Sequence, residues 1–329
     1  MLRKIAVVIR RAWRADRALT LVGFGAVAAL GATLVGLALD PRVVTGAPAW
    51  LKPAKFAVSG AIYCFTFLWL LGQVRGRARL RRVVADVTAG ALAVEIGLIA
   101  LQAGRGTTSH FNFTTPFDGV VFGVMGFSIV LLWLAAAAVA VVLLRQRGEP
   151  ARAWALRWAL LIALVGMGEG LLMTTPSEAR VAEARALGQP AGVRGGHAVG
   201  VLDGGPGLPV VGWSTEGGDL RPAHFVGLHG LQALPVVGWL VARRSRLGAG
   251  HRAALVSVVG AAYLGLVVLL AWQALRGQPL IAPDAPTLGA LGGLAAAAAL
   301  GAAAVAAHAR LAGAPIPGER RGPWRPAEP

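Results

Sequence analysis

Histidine side chains are the residues of this sequence best suited to chemistry, because imidazole carries protons near neutral pH and ligates metal ions and haem. His224 and His229 are five residues apart, so a straight helix separates their side chains by about 140°. They would not chelate one ion together, and the sequence contains no zincin-type histidine pair. Haem or a metal ion stays open as a cofactor, without ligands of diagnostic spacing. The candidate ligands are His110, His224 and His229.

Two glutamates lie within apolar stretches, where an ionisable group is costly unless it is paired, protonated or in contact with water. Glu95 falls near the middle of one stretch, and Gln102 follows seven residues later on nearly the same helix face. Glu169 lies towards the end of another stretch, between glycines. Each glutamate predicts either a proton or ligand site or a buried pair, for instance with Arg105. We also expect Arg105 to bind an anionic group.

Lysine is rare in this chain, which has 3 lysines and 29 arginines. Lys52 and Lys55 flank Pro53 at the predicted start of a helix, where a cation opposes the helix dipole. A nearby anion would remove this conflict. We expect this anion to be a lipid headgroup, or the carboxylate or phosphate of a small molecule.

Eight apolar stretches must position these side chains, each near the length of about 20 residues that a membrane-spanning helix needs. The chain is 56% hydrophobic and 14% charged over 329 residues, which is too apolar for an ordinary soluble domain. We therefore predict an all-α, polytopic transmembrane helix bundle in contact with the lipid bilayer. The predicted spans are 18–39, 54–73, 83–103, 117–144, 154–173, 222–241, 253–275 and 286–309.

Positive charge alternates between the loops of this bundle. Of the 32 Lys and Arg residues, 23 fall in the two tails and in every second loop. Because positively charged loops stay in the cytoplasm, both termini are predicted to be cytoplasmic. Membrane orientation and anionic lipids account for the net charge of +17, so no nucleic-acid partner is expected. The single cysteine, Cys64, excludes a disulfide within the chain.

The loops predicted to lie outside contain varied polar residues. The longest, 174–221, begins with the helix-start pattern TPSE, so we expect a short helix to about Leu187. Its Gly- and Pro-rich remainder contains apolar side chains to bury, which indicates an ordered cap. The similar pattern TPFD predicts that Asp118 caps the fourth span. The chain thus divides into a basic N-terminal tail (1–17), the transmembrane domain (18–309) and a C-terminal tail (310–329).

A polar pocket is expected beneath this cap. Pro235 lies inside the sixth span and removes a helical hydrogen bond, so a kink is predicted just past His229. The released carbonyl needs a polar partner in lipid, which favours a kink that faces a pocket. A packing kink with satisfied polar groups is the alternative. Besides the residues already named, the candidate ligand-binding residues are Asn112, Asp203, Trp213, Asp219, Arg221 and Gln232.

Two pairs of sequence segments in the outer loops resemble those of a known protein family. They are QAGRGTTSHFN with TPFDG, and DGGPGLPVVGWS with GDLRPAHFVGLHGLQALP. In these strings the chain resembles a family of uncharacterised multi-pass bacterial membrane proteins. The resemblance covers the outer loops and parts of three spans. It implies a location in the bacterial plasma membrane and brings no activity or substrate with it.

These features favour a membrane protein with an outward-facing polar pocket that binds a ligand or cofactor, or that performs redox or other enzymatic chemistry. Polarity concentrated at one face supports this interpretation. The main alternative is a proton-coupled small-molecule transporter that uses Glu95 and Glu169. A non-catalytic sensor or assembly factor is the second. The sequence indicates neither an oligomeric state nor whether the protein is an enzyme.

Overall fold

The computed structural model describes residues 2–176, 178–188, 192–244 and 247–313. Within these ranges, eight helices are long and apolar enough to cross a membrane, which confirms the predicted all-α polytopic bundle. The helices are α1 (Leu2–Ala15), α2 (Arg17–Leu39), α3 (Leu51–Leu71), α4 (Ala78–Gly104), α5 (Pro116–Arg145), α6 (Pro150–Gly168), α7 (Glu178–Leu187), α8 (Arg221–Ala242), α9 (Ala249–Leu275) and α10 (Ala285–Gly313).

The short elements lie between these helices. A 3₁₀ helix, Glu169–Thr174, extends α6. Two antiparallel pairs of two-residue strands are present, β1 (Val43–Val44) with β2 (Ala47–Pro48), and β3 (Ala198–Val199) with β4 (Gly218–Asp219). The predicted cap is therefore folded. Most of the predicted C-terminal tail, 314–329, lies outside the described residues.

Helix boundaries follow the local signals of the sequence. Thr115 caps α5, since its Oγ1 accepts a hydrogen bond from the backbone N of Asp118 at 3.2 Å. Asp118 Oδ2 accepts in return from the Thr115 hydroxyl at 2.7 Å. Its carboxylate thus bonds side chains of the described residues and not a helix-start amide, so Thr115 caps α5 and the predicted capping role of Asp118 is wrong. α7 begins at Glu178 and ends at Leu187, as the pattern TPSE and the following Gly188 predict.

The N-terminal tail is where the prediction missed an element. Residues 2–15 form α1, and Asp16 then caps α2 by accepting from the backbone N of Leu19 at 2.9 Å. The arginines of this tail are therefore carried by a helix that contacts the start of α2.

Four helix pairs make the most extensive contacts in the bundle. α6 packs against α8 and α9, α2 against α3, and α4 against α5. At the crossing of α6 and α8, a Cβ atom added to Gly166 would lie 2.7 Å from the Cα of Gly227. Only residues without a side chain allow two helices to approach so closely.

The bundle has two different ends. The loops 40–50, 105–115 and 276–284 meet the described residues of the segment 169–220 at one end, which we call the cap end. There, for example, Arg42 Nη1 donates to the Gly104 carbonyl at 3.0 Å, and the backbone N of Phe113 donates to the Gly192 carbonyl at 2.6 Å. The loops 72–77 and 146–149 and residues 243–244 lie with α1 at the opposite end, which we call the basic end because of its arginines.

Candidate functional site

The loop between α4 and α5 descends from the cap end into the bundle. His110 Nε2 lies 3.4 Å from Oε1 of Glu95, which is nine residues before the end of α4 and hence about 13 Å along the helix. The His110 ring also packs against Phe56 of α3 and Phe122 of α5. Irregular backbone at such depth is tolerated only where protein or water surrounds it. The fold therefore places an imidazole beside a span carboxylate.

Asn112 fixes this loop in place. It is fully buried, and its Nδ2 donates to Thr107 Oγ1 at 3.0 Å while its Oδ1 accepts from the backbone N of Thr114 at 3.0 Å. Phe111 next to it has φ 59°, a left-handed conformation that costs about 1–3 kcal/mol for a residue other than glycine. Its carbonyl accepts from the backbone N of Arg194 in the cap at 3.0 Å. Asn112 thus positions the loop, and we find no direct role for it in ligand contact.

A second histidine is paired with a carboxylate in the cap. Asp203 accepts from Nδ1 of His197 at 3.0 Å and from the backbone N of Ala198 at 2.8 Å. Because a carboxylate can only accept, Nδ1 of His197 holds the proton and Nε2 keeps a free lone pair. The ring of Phe111 makes edge contacts with both His197 and His110, at centroid distances of 5.4 and 5.8 Å. The two histidine–carboxylate pairs are therefore neighbours.

The surroundings of these imidazoles favour their neutral form. Burial lowers the pKa of His110 well below its usual range. The positive charge of Lys52 lowers this pKa further, as protonation of His197 or His224 would. Burial also lowers the pKa of His197, against the opposing effect of Asp203. For Asp203 burial alone would raise the pKa, but hydrogen bonds from His197 outweigh burial and hold the pKa below its usual range.

Lys52 and His224 complete the cluster. Lys52 interacts electrostatically with Glu95 and Asp203, and no hydrogen bond or ion pair within the described ranges involves its ammonium group. His224 Nδ1 lies 2.6 Å from the Gly166 carbonyl, so that nitrogen carries the proton and Nε2 is free. We call these residues together the histidine site: Lys52, Glu95, His110, His197, Asp203 and His224.

The histidine site contains an unpartnered acceptor. Oε2 of Glu95 is buried and has no hydrogen-bond partner among the described residues. The side chains of His110 and His197 keep 19% and 21% of their surface exposed, so neither ring is fully enclosed by the protein. Glu169 is also buried with a free Oε2, but it lies in the 3₁₀ helix and no ion pair of the described residues includes it.

Arg105 is the partner of neither glutamate. It pairs with Asp118 at 2.5 Å, donates to Gln102 and stacks on Phe117. Gln102 in turn donates to Asp118 at 2.8 Å and makes no recorded bond to Glu95. The predicted Arg105–glutamate pair is therefore wrong. The observed contacts hold the cap-end terminus of α4 against α5. Because the Arg105 guanidinium is already paired with Asp118, it is not available for the anion that we expected it to bind.

Several other predicted site residues fasten the cap to the bundle. Lys55 Nζ donates to the Val211 carbonyl at 3.1 Å. Arg221 pairs with buried Asp219 at 2.5 Å. Trp213 packs its ring edge against Phe225 of α8, with a centroid distance of 5.8 Å. In these contacts Lys55, Arg221 and Trp213 stabilise the ordered cap.

His229 and Gln232 form a separate polar chain on α8. His229 Nδ1 lies 3.1 Å from Gln232 Oε1, and Gln232 Nε2 donates to Thr66 of α3 at 2.9 Å. α8 continues through Pro235. In the part of the chain that the structure describes, no group of three or more His, Cys, Asp or Glu residues is arranged to hold a metal ion. Of the three candidate metal ligands, His110 and His224 are thus close enough to interact electrostatically. His229 instead contacts Gln232 and lies outside that pair.

The most important residue missing from the predicted site is His197. It was recognisable only as one of the histidines of the outer loops, because its pairing with Asp203 depends on the turn between them. The hint in the sequence is an aspartate that follows within a Gly-rich turn, where its carboxylate can accept backbone N–H groups. Ser109, whose Oγ lies 3.0 Å from His110 Nδ1, was not predicted as part of the site either.

Comparisons of the chain with protein-family models, with curated proteins and with solved structures found no match. The functional interpretation therefore depends on the residues and their geometry.

Proposed function

We propose that this multi-pass membrane protein binds a small polar molecule at the cap end of its bundle and transfers protons to and from it. The carrying observation is the adjacency of two histidine–carboxylate pairs, His110–Glu95 and His197–Asp203, on either side of one phenylalanine ring. Acid–base catalysis needs one group that donates a proton and another that accepts one. Two neighbouring histidine–carboxylate pairs with different surroundings meet that need.

The two pairs suit different roles. His197 has its Nδ1 proton held by Asp203, so its free Nε2 is the general base that accepts a proton from the bound molecule. In the other pair Ser109 lies at Nδ1 of His110 and directs the Nε2 proton towards Glu95. With a proton on Oε2 of Glu95, which has no partner among the described residues, this pair is the general acid that gives a proton to the bound molecule, and the proton held by His197 then returns to Glu95. The net charge of the site is then unchanged after each cycle.

Lys52 gives the site its preference for a ligand. Its ammonium group has only electrostatic interactions among the described residues, so a carboxylate or phosphate of the bound molecule would be its first direct partner. Arginine-rich loops at the basic end support a cytoplasmic position for that end. The histidine site then faces the outside of a bacterial plasma membrane.

A transporter is the second candidate, supported by the free Oε2 atoms of Glu95 and Glu169. Transport needs a polar path across the bundle. The basic half is instead packed with apolar side chains, including fully buried Phe67, Leu70 and Leu234. This packing favours a site open to one face.

Ligand capture tests the proposal. We would incubate the purified full-length protein with a small-molecule extract of cells, wash it, and identify retained compounds by mass spectrometry. Lys52→Met should lose an anionic compound that the unchanged protein retains. His197→Asn should retain the compound but abolish its conversion. His229→Asn, which changes a partly buried histidine outside the site, should behave like the unchanged protein.

Two outcomes would contradict the proposal. Identical retention by the unchanged protein and Lys52→Met would show that the compound binds elsewhere. Accumulation of the unaltered compound inside vesicles that contain the protein, lost in Glu169→Gln, would establish the transporter instead.

A further inference from the structure

A cavity lies at the basic end of the bundle, between α1 and the first turns of α2 and α4. It has a volume of about 620 Å³, within the range of about 300–1,000 Å³ of small-molecule sites. It is distant in sequence and position from the histidine site, which lies at the cap end. Its polar lining comes from Trp13, Arg14, Asp16, Arg17, Arg82 and Asp86.

Three arginines of this cavity have no partner for their charge. No hydrogen bond or ion pair between described residues involves the guanidinium groups of Arg14, Arg17 or Arg82. Asp16 already uses its carboxylate as the cap of α2. Guanidinium groups bind phosphate oxygens through paired hydrogen bonds, which makes arginine the preferred side chain for this ligand. The cavity therefore has the donors of a phosphate site in three exposed arginines, whose positive charge exceeds the negative charge of Asp16 and Asp86 in the same lining.

The helix that covers the cavity has the character of a membrane-surface helix. Ile9 and Trp13 lie on one face of α1 and are 39% and 40% exposed, although both are large and apolar. Arg10, Arg11 and Arg14 occupy the neighbouring face. A basic amphipathic helix of this kind lies at the bilayer interface, with its apolar face towards the acyl chains. Trp13 belongs to both the apolar face and the cavity wall.

We propose that this cavity binds the phosphodiester headgroup of an anionic phospholipid, whose acyl chains lie along α1 and α2. The positive charge of the arginines favours a phosphate group as the ligand. The exposed apolar face of α1 can contact acyl chains, which favours a lipid over free phosphate. The occupied cavity would hold α1 against the bundle, because lipid and arginines connect α1, α2 and α4. Basic pockets at the cytoplasmic ends of spans are a known type of headgroup site.

Lipid binding to the full-length protein tests this proposal. We would count bound lipids by native mass spectrometry after adding phosphatidylglycerol or phosphatidylcholine to the detergent-purified protein. Arg82→Gln should weaken retention of phosphatidylglycerol about tenfold, as expected for the loss of a charge-assisted hydrogen bond. Arg79→Gln is the matched control, since it removes the same charge one turn away on α4, outside the cavity lining.

The outcomes separate the sources of phosphate. Preferential retention of phosphatidylglycerol that falls in Arg82→Gln and persists in Arg79→Gln supports the proposal. Equal retention of the two lipids, or equal losses in the two variants, overturns it. Displacement of the lipid by millimolar inorganic phosphate also overturns it, because the site would then bind a free anion. If Arg82→Gln does not purify as a folded protein, Arg17→Gln supplies the same comparison.

Discussion

Replacing Gly166 with alanine should loosen the crossing of α6 and α8 and move His224 from its place in the histidine site. The new Cβ atom would lie 2.7 Å from Gly227 Cα and 2.8 Å from Gly227 C. Carbon atoms in contact are normally about 3.5–4.0 Å apart. The two helices must therefore separate by about 1 Å locally. Because the Gly166 carbonyl is bonded to His224 Nδ1 at 2.6 Å, this hydrogen bond is stretched as well.

The expected loss of stability follows from three contributions. Overpacking typically costs about 1–3 kcal/mol, and the weakened hydrogen bond about 1 kcal/mol more. Alanine is favoured over glycine in a helix by about 1 kcal/mol, which acts in the opposite direction. The net loss is about 2 kcal/mol. For a chain of this size it corresponds to a fall in Tm of about 4 °C, at roughly 2 °C per kcal/mol.

Thermal unfolding in one detergent, followed by tryptophan fluorescence, measures this loss. Gly168→Ala is the matched control, because a Cβ atom added there meets nothing within 4 Å and only the helix preference remains. Its Tm should equal or exceed that of the unchanged protein. If Gly166→Ala is as stable as Gly168→Ala, the close crossing does not determine the position of α6 against α8, and the reasoning is refuted.

Two further predictions concern the loop and cap of the histidine site. The pKa of His110 and of His197 lies below the ordinary value of 6.5, chiefly because of burial. The unfolded chain then takes up protons more readily, so Tm should fall as the pH is lowered from 7.5 to 5, and His197→Asn should reduce that fall. Asn112→Ala removes the bonds to Thr107 and Thr114 and should lower the free energy of unfolding by about 2–4 kcal/mol. Denaturant unfolding that shows less than 0.5 kcal/mol would contradict this role.

The membrane spans could be predicted from the sequence because their signals are local. An apolar run of sufficient length, bounded by arginines, glycine or proline, identifies a span without knowledge of its neighbours. The capping of α5 by Thr115 is equally local. α1 escaped prediction because its 14 residues are too few for a span and its many arginines are typical of a tail. Its amphipathic pattern was the available signal.

The contacts of the site could not be predicted in the same way. Glu95 and His110 are separated by a loop whose descent into the bundle depends on bonds from Asn112 and on pairing with cap residues. Glu95 and Asp118 are the two acidic residues nearest to Arg105 in sequence, so the sequence alone does not distinguish between them as its partner. The position of Asp118 in the first turn of α5 makes it the partner. Such choices depend on tertiary contacts, which periodicity and spacing do not contain.

The histidine site contains several residues whose conformation or surroundings are energetically unfavourable, unlike the apolar packing of the rest of the bundle. A carboxylate lies deep in a span with one oxygen unpartnered, at Glu95. Phe111 adopts a left-handed backbone conformation. Lys52, the second residue of α3, has no direct partner among the described residues. Packing alone would favour apolar side chains and a loop that stays at the surface, since each departure costs free energy. Natural sequences concentrate such departures at functional sites. Their convergence around two histidine–carboxylate pairs supports a chemical role for this end of the bundle over a purely structural one.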